Sequence, residues 1–322
     1  MLPASQPILG QEKLVNFFDK IAAGQFNGSL ILVGPKGAGK KTLASLLAAK
    51  LLCQDRGHKP CGACASCREL AAKINPDLFW LSPQADKKNL SIEDVRGLLH
   101  ALSLSAMSYG CKVAVIDQAH ILSQSAANAL LKTLEEPNKK TAVILLTEVL
   151  EDLPATIVSR SQVFTVRPVA IDKVYDFLVD KRQVKRSQAK ILAGLSGGWP
   201  GIALKLLADE EGLADNLAIA KKFIAAASLE PSARLKDLSQ FIDKKNDVLE
   251  VIDIWQGVVR DWLLANVGAK AWARYEAVLP ATAAAVPTGR LLNWQKLLVQ
   301  SRNYAKANVG GQNILENIII NL

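Results

Sequence analysis

A glycine-rich segment between an apolar run and a helix-like run restricts the fold of this chain more than any other feature. The apolar run at residues 29–33 ends at Gly34, and the loop continues through Gly37 and Gly39 to Lys40. A buried strand, a glycine turn and a helix in this order aim backbone N–H groups at a single point, where they can surround phosphate oxygens. The segment therefore predicts a nucleotide-phosphate cradle, with Lys40 reaching the β- and γ-phosphates.

Apolar runs and helix-like patterns alternate over the first half of the chain. Residues 78–81, 113–116, 143–147 and 163–166 are apolar runs of strand length, and helical spacing separates them. Such alternation predicts right-handed crossovers and a mostly parallel sheet that is covered on both faces and binds ligands at the carboxyl ends of its strands. We predict an α/β domain of this kind over residues 1–168.

The second half of the chain has no strand pattern, and amphipathic segments recur instead. Residues 169–208 predict a small helical lid domain, and residues 209–322 a C-terminal all-α domain, with residues 209–212 as the linker between them. Four of the six tryptophans lie in the last domain, namely Trp255, Trp262, Trp272 and Trp294. We expect them to pack in its core or at a helix–helix interface.

Two residues near the cradle differ from those that ATP hydrolysis requires. The position after Lys40 should be a Ser or Thr that ligates Mg²⁺, yet it is Lys41, and Thr42 is displaced by one residue. After the third strand, Asp117 keeps a carboxylate for Mg²⁺, but Gln118 is neutral and cannot polarise the attacking water. The sequence predicts impaired Mg²⁺ binding and a pocket that is empty, or that binds ATP or ADP without efficient hydrolysis.

Four of the five cysteines lie within fifteen residues, at Cys53, Cys61, Cys64 and Cys67. In a chain without an export signal, this clustering favours metal binding over disulfides. The spacing suits a tetrahedral thiolate site, so we predict a structural zinc ion. An iron–sulfur cluster is disfavoured because position 71, where a further cysteine is expected, is Ala71.

The charge balance and the apolar runs restrict where the chain acts. Lys and Arg total 39 against 30 Asp and Glu, and the net charge of +9 favours polyanions such as nucleic acid. Charge and cysteines together leave open a zinc-dependent DNA-binding regulator, although no recognition helix is evident. The apolar runs are too short to span a membrane, and residues 1–4 lack the pattern of a secretion signal. We therefore expect a cytoplasmic protein with no membrane contact.

One arginine, Arg160, precedes the last predicted strand in the string Ser-Arg-Ser. In ring-forming nucleotide machines, this region carries an arginine that reaches into the neighbouring subunit's site. Such a finger accelerates hydrolysis by roughly 10³- to 10⁵-fold. From the residues alone, a purely structural role for Arg160 also stays open.

Taken together, these motifs resemble the clamp-loader branch of the AAA+ superfamily, most closely the delta-prime type of subunit in bacterial DNA polymerase III. The segments that carry the resemblance are residues 8–12, the cysteine insertion, residues 91–96 and residues 126–137, of which the last is the most specific. The resemblance covers residues 8–205, while the remainder is similar only in being a helical, collar-like domain.

The resemblance implies a hetero-pentameric ring with tau or gamma subunits and a delta subunit. Such a ring opens a sliding clamp and places it on primer–template DNA without sequence specificity. For this chain the resemblance implies a stator without intrinsic ATPase activity, a non-catalytic part of the polymerase holoenzyme, with Arg160 as a finger in trans and Thr147 at the first sensor position. Because the loop from Gly34 to Lys40 is complete, an ATP-hydrolysing motor subunit of the same loader is the alternative.

Overall fold

The chain is described here by a computed structural model. The described residues are 8–24, 26–55, 57–83, 89–107, 111–137, 140–227, 229–230, 232–234, 248–268, 273–275, 278–279, 286–307 and 309–322. They form two compact units, Met1–Val169 and Ala170–Leu322. Within the described ranges, no helix combines the length and the apolar character that a membrane crossing requires.

A five-stranded parallel sheet forms the centre of the first unit. The strands are β1 (Gly28–Val33), β2 (Leu78–Leu81), β3 (Lys112–Ile116), β4 (Thr141–Thr147) and β5 (Gln162–Thr165). Their order across the sheet is β2-β3-β4-β1-β5, and every adjacent pair is parallel. Every residue of β3 and β4 is buried, as expected for strands covered on both faces. The predicted parallel α/β architecture is confirmed.

In the described part of this unit, six α-helices accompany the sheet. They are α1 (Glu12–Ala23), α2 (Lys40–Leu52), α3 (Ala65–Ala72), α4 (Ile92–Ser103), α5 (Gln124–Glu135) and α6 (Ala155–Val158). Helices α4 and α5 pack on one face of the sheet, where Val95 and Leu130 share a buried cluster with Ile31, Ala114 and Val143. Because β1 and β3 are held side by side with β4, the loops that follow them emerge at the same edge of the sheet.

The described part of the second unit is helical. Its α-helices are α7 (Ile171–Asp176), α8 (Arg186–Ser196), α9 (Pro200–Ala208), α10 (Glu210–Ala226), α11 (Val248–Asn266), α12 (Thr288–Lys306) and α13 (Gly311–Asn321), and a π-helical turn, Phe177–Lys181, follows α7. The unit boundary after Val169 lies one residue beyond the predicted end of the α/β domain at residue 168. The further division into lid and collar domains stays a prediction.

An aromatic cluster lies in the core shared by α10, α11, α12 and α13 of this unit. The ring of Phe223 stacks on Trp255 with centroids 5.0 Å apart, and Trp262 lies 6.1 Å from Trp294. All four side chains are buried. The predicted core role of these three tryptophans is confirmed, whereas Trp272 lies outside the described residues.

The linker predicted at residues 209–212 is wrong, because a helix begins there. Asp209 caps α10 by accepting a hydrogen bond from the Gly212 N–H at 2.9 Å, and Glu210 and Glu211 lie in the first turn. Acidic residues at this position interact favourably with the positive end of the helix dipole. A Cβ on Gly212 would lie 2.5 Å from the Asp209 carboxylate, so the glycine permits the close cap. The charged string that indicated a linker is a helix N-terminus.

Candidate functional site

The phosphate loop connects β1 to α2 and owes its shape to three glycines. Gly37 and Gly39 have φ values of +82° and +89°, a left-handed region that favours glycine. Gly34 packs closely, since a Cβ there would lie 3.3 Å from the Cβ of Ala38. These constraints explain the glycine spacing, and they place Lys40 at the first position of α2.

The side chain of Lys40 folds back over this loop. Its Nζ donates hydrogen bonds to the carbonyl oxygens of Gly34 and Pro35, the latter at 3.0 Å. Burial lowers the pKa of the Lys40 ammonium, and the negative charges of Glu148 and Asp117 act in the opposite direction. A phosphate must therefore compete with the loop's own carbonyls for this ammonium.

The side chain of Lys41 forms an ion pair with Asp117. Its Nζ lies 2.7 Å from Asp117 Oδ2, and the two side chains are 64% and 5% exposed. Asp117 directly follows β3, so the sheet brings this carboxylate to the edge where the phosphate loop ends. The ammonium of Lys41 thus contacts the one carboxylate that the sequence offered to Mg²⁺. Thr42, the displaced hydroxyl, is half-buried in the first turn of α2.

Thr147 and Gln118 complete the predicted nucleotide site. Thr147, at the end of β4, is fully buried, and its Oγ1 donates to the carbonyl of Val149 at 2.8 Å. Gln118 is exposed and has a φ of +53°. The structure brings the loop, Lys41 and Asp117 together, and the side chains of Lys40, Lys41 and Thr147 each contact another group of the chain.

Arg160 lies on the surface after α6 and apart from this loop. Its guanidinium contacts Glu135 at the end of α5, and its Nη1 donates to the Thr156 carbonyl at 3.0 Å. Among the residues that the structure describes, its side-chain partners are Glu135, Thr156 and Ser159, none of which belongs to the phosphate loop. The arrangement leaves Arg160 accessible from outside the subunit.

The four clustered cysteines meet between α2 and α3. All their Sγ atoms lie within 4.8 Å of one another, and the sulfurs of Cys61 and Cys67 are 4.0 Å apart. Sulfurs around a tetrahedral zinc ion, with bonds of about 2.3 Å, are about 3.8 Å apart. The spacing therefore suits a metal ion, and it includes Cys53, the most distant of the four in sequence.

Backbone N–H groups point at the sulfurs of this cluster. The N–H of Cys64 donates to Cys61 Sγ at 3.3 Å, and that of Cys67 donates to Cys64 Sγ at 3.4 Å. Burial alone raises the pKa of Cys64, but N–H groups of Gln54 and Cys67 oppose it and lower this pKa to about 7. Burial raises the pKa of Cys53. A thiolate at Cys64 gives a cation its first ligand, and a bound cation favours deprotonation of the others.

Two pairings at the site were not anticipated from the sequence. They are Lys41 with Asp117 and Arg160 with Glu135. The first was accessible in principle, since both residues follow strands whose carboxyl ends meet at one edge. The pairing of Arg160 with Glu135 could not be predicted from the sequence. Glu135 is the last residue of α5, and nothing in the sequence distinguishes it from the adjacent Glu136.

Comparison with known proteins supports a single family. A family model described as DNA polymerase III, delta subunit, matches residues 10–170, which is 161 of 322 residues. The DNA polymerase III subunit delta' of Escherichia coli (strain K12) is 38% identical over 198 residues, covering 61% of this chain and 58% of that protein. The DNA polymerase III subunit gamma of Buchnera aphidicola is 33% identical over 173 residues, covering 53% of this chain and 47% of that protein.

The chain thus spans about half to three fifths of the length of these curated relatives. A solved structure of a DNA polymerase III gamma subunit-related protein from Thermotoga maritima superposes with a TM-score of 0.52. It covers 95% of this chain and 97% of its own length at 17% identity, a likeness of fold. On the family match over residues 10–170, the chain belongs to the DNA polymerase III delta subunit family.

Proposed function

We propose that this chain is the delta-prime-type stator of a bacterial clamp loader, a subunit that does not hydrolyse ATP itself. In this role it holds one end of a ring with tau or gamma and delta subunits, which opens a sliding clamp on primer–template DNA. The relatives named delta' support the assignment. Family membership also favours a loader subunit over a zinc-dependent DNA-binding regulator.

The Lys41–Asp117 ion pair is the observation that carries this proposal. A Ser or Thr hydroxyl and an acidic residue after a strand normally hold Mg²⁺ between them. Here an ammonium replaces the hydroxyl and neutralises the buried carboxylate. If Mg²⁺ does not bind, no metal ion neutralises the charge that develops on the transferred phosphoryl group. Because Gln118 stands where a carboxylate is expected, the attacking water also lacks the group that would polarise it.

Replacing Lys41 with threonine should give the pocket a dependence on Mg²⁺ that the wild-type chain lacks. The substitution supplies a hydroxyl ligand and frees Asp117 from an ion pair worth about 1 kcal/mol, a factor of about five in affinity. We expect Mg²⁺ to strengthen ADP binding at least about fivefold in Lys41→Thr, but by no more than about twofold in wild type. Calorimetric titrations in Mg²⁺ and in EDTA measure both.

Lys41→Met is the matched control for this experiment, because it removes the charge without adding a hydroxyl. It should gain less Mg²⁺ dependence than Lys41→Thr. A wild-type chain that binds ADP about tenfold more tightly with Mg²⁺ than without it would contradict the proposed role of the ion pair.

We propose that Arg160 completes the ATP site of the neighbouring motor subunit. Its position on the surface and outside its own phosphate loop supports this role. The net charge of +9 is compatible with contacts to DNA phosphates, which carry no sequence information. For the helical unit we propose a lid at residues 169–208 and a collar domain at residues 209–322 that joins the ring.

We propose that the four cysteines bind a structural zinc ion. The mutual distances of the sulfurs and the N–H groups directed at them support four-coordinate binding. With all four positions taken by thiolates, the ion has no open position for catalysis. Its role is to hold together the segment between α2 and α3, which offers few other buried apolar residues.

The second candidate function is an ATP-hydrolysing motor subunit of the same loader. The complete phosphate loop and the relative named gamma favour it. A motor subunit would release phosphate from ATP, and Lys40→Ala would abolish that release. The stator proposal expects no release from the purified chain in either form.

A further inference from the structure

The guanidinium of Arg160 is held at several points by its own subunit. Its Nε donates to Oε1 of Glu135, and its Nη2 forms an ion pair with the same oxygen, while its Nη1 donates to the carbonyl of Thr156 at 3.0 Å and to Ser159 Oγ at 3.3 Å. All three nitrogens of the guanidinium thus contact a group of this subunit.

The backbone beneath this side chain is anchored as well. Ser29 on β1 is buried, and its hydroxyl donates to the carbonyl of Arg160 at 2.8 Å. The hydroxyl oxygen of Ser29 also lies 2.9 Å from the hydroxyl oxygen of Ser161. The main chain of Arg160 is therefore fixed to strand β1, and its guanidinium is fixed to the end of α5.

These contacts decide which edge of the guanidinium is available. Arginine has five N–H groups in a rigid planar fork, and it binds phosphate oxygens best with two of them in parallel. Glu135 occupies the side edge formed by Nε and Nη2. The terminal edge, Nη1 and Nη2, presents two donors when Nη1 gives up one of its two contacts, with Thr156 or with Ser159.

We propose that Glu135 is a positioning residue for the finger, which turns the terminal edge of Arg160 outward to a phosphoryl group in the neighbouring site. This inference rests on the proposed role of Arg160 in trans. Glu135 does not touch the nucleotide itself. Glu135 limits the orientations of the long Arg160 side chain. The Arg160 side chain is 34% exposed and that of Glu135 is 47% exposed.

The test is a reconstituted loader in which this chain alone carries Glu135→Ala. Because a misplacement of about 1 Å can cost about 100-fold in rate, we expect a kcat for DNA-stimulated ATP hydrolysis at the neighbouring motor site at least about tenfold lower. The KM for ATP should stay unchanged, since the finger acts in the transition state. Glu136→Ala, which removes the adjacent exposed carboxylate, is the matched control and should leave kcat unchanged.

The double variant Glu135→Ala with Arg160→Ala separates positioning from a general structural role. If Glu135 acts through Arg160, the double variant should equal Arg160→Ala alone. A further fall in the double variant, an unchanged kcat in Glu135→Ala, or a rise that marks Glu135 as a restraining latch would each overturn the inference. If Arg160→Ala itself has no effect, the proposed finger fails, and the inference that depends on it fails as well.

Discussion

Replacing Arg160 with alanine should lower ATP hydrolysis at the neighbouring motor site by roughly 10³-fold or more, the usual loss for an arginine finger. The guanidinium neutralises the charge that develops on the transferred phosphoryl group. In the proposed arrangement, this subunit supplies that positive charge through Arg160. Assembly should survive, because the Arg160–Glu135 pair is a surface ion pair that contributes about 1 kcal/mol or less. Single-turnover hydrolysis in a reconstituted, DNA-bound loader measures the effect.

Two matched variants define what this experiment reports. Arg167→Ala removes an exposed arginine of the same unit and should leave hydrolysis unchanged. Arg160→Lys keeps the charge but loses the planar fork, so most of the defect should remain. Unchanged turnover in Arg160→Ala, with the loader intact, would remove the finger assignment.

Replacing Cys67 with serine should abolish stable zinc binding. Loss of a partner that merely orients a ligand costs about 10- to 100-fold in metal affinity, so loss of a buried ligand should cost more than about 100-fold. Metal analysis of the purified wild-type chain should find about one zinc ion per chain, and the variant close to none. Because binding of a structural metal stabilises the fold, the segment between α2 and α3 should also become sensitive to protease in the variant.

Cys111→Ser is the control, since it removes a cysteine outside the cluster and should retain zinc. Acidification provides an independent check. Protons compete with the metal for thiolates, and burial raises the pKa of Cys53 and Cys67, so zinc affinity should fall continuously as the pH decreases through the neutral range. A wild-type chain that contains no metal after purification without chelator would defeat the site.

The strands and the phosphate loop of the α/β unit were predictable because short segments of the sequence specify each of them. Apolar runs such as residues 143–147 are typical of strands that are covered on both faces, and every residue of β4 is buried. The glycine positions followed from backbone geometry that other residues adopt poorly. The charged string at residues 209–212 was misinterpreted because acidic residues suit both linkers and helix N-termini, and only the cap made by Asp209 distinguishes the two.

The electrostatic partners at the candidate site were less accessible from sequence. Lys41 and Asp117 are far apart along the chain and meet only because β1 and β3 lie in the same parallel sheet. The sequence indicated that Lys41 would disfavour Mg²⁺ binding, but not that Lys41 would form an ion pair with the carboxylate of Asp117. Glu135 meets Arg160 at the end of a helix, where neither periodicity nor spacing indicates a contact.

The claim that this chain assists hydrolysis without performing it is tested most directly in a loader in which only this chain carries Lys40→Ala. The DNA-stimulated ATPase rate of that loader should equal the wild-type rate, because no turnover passes through this subunit's own phosphate loop. A reproducible fall in that rate, with assembly unchanged, would contradict the account and identify the subunit as a motor.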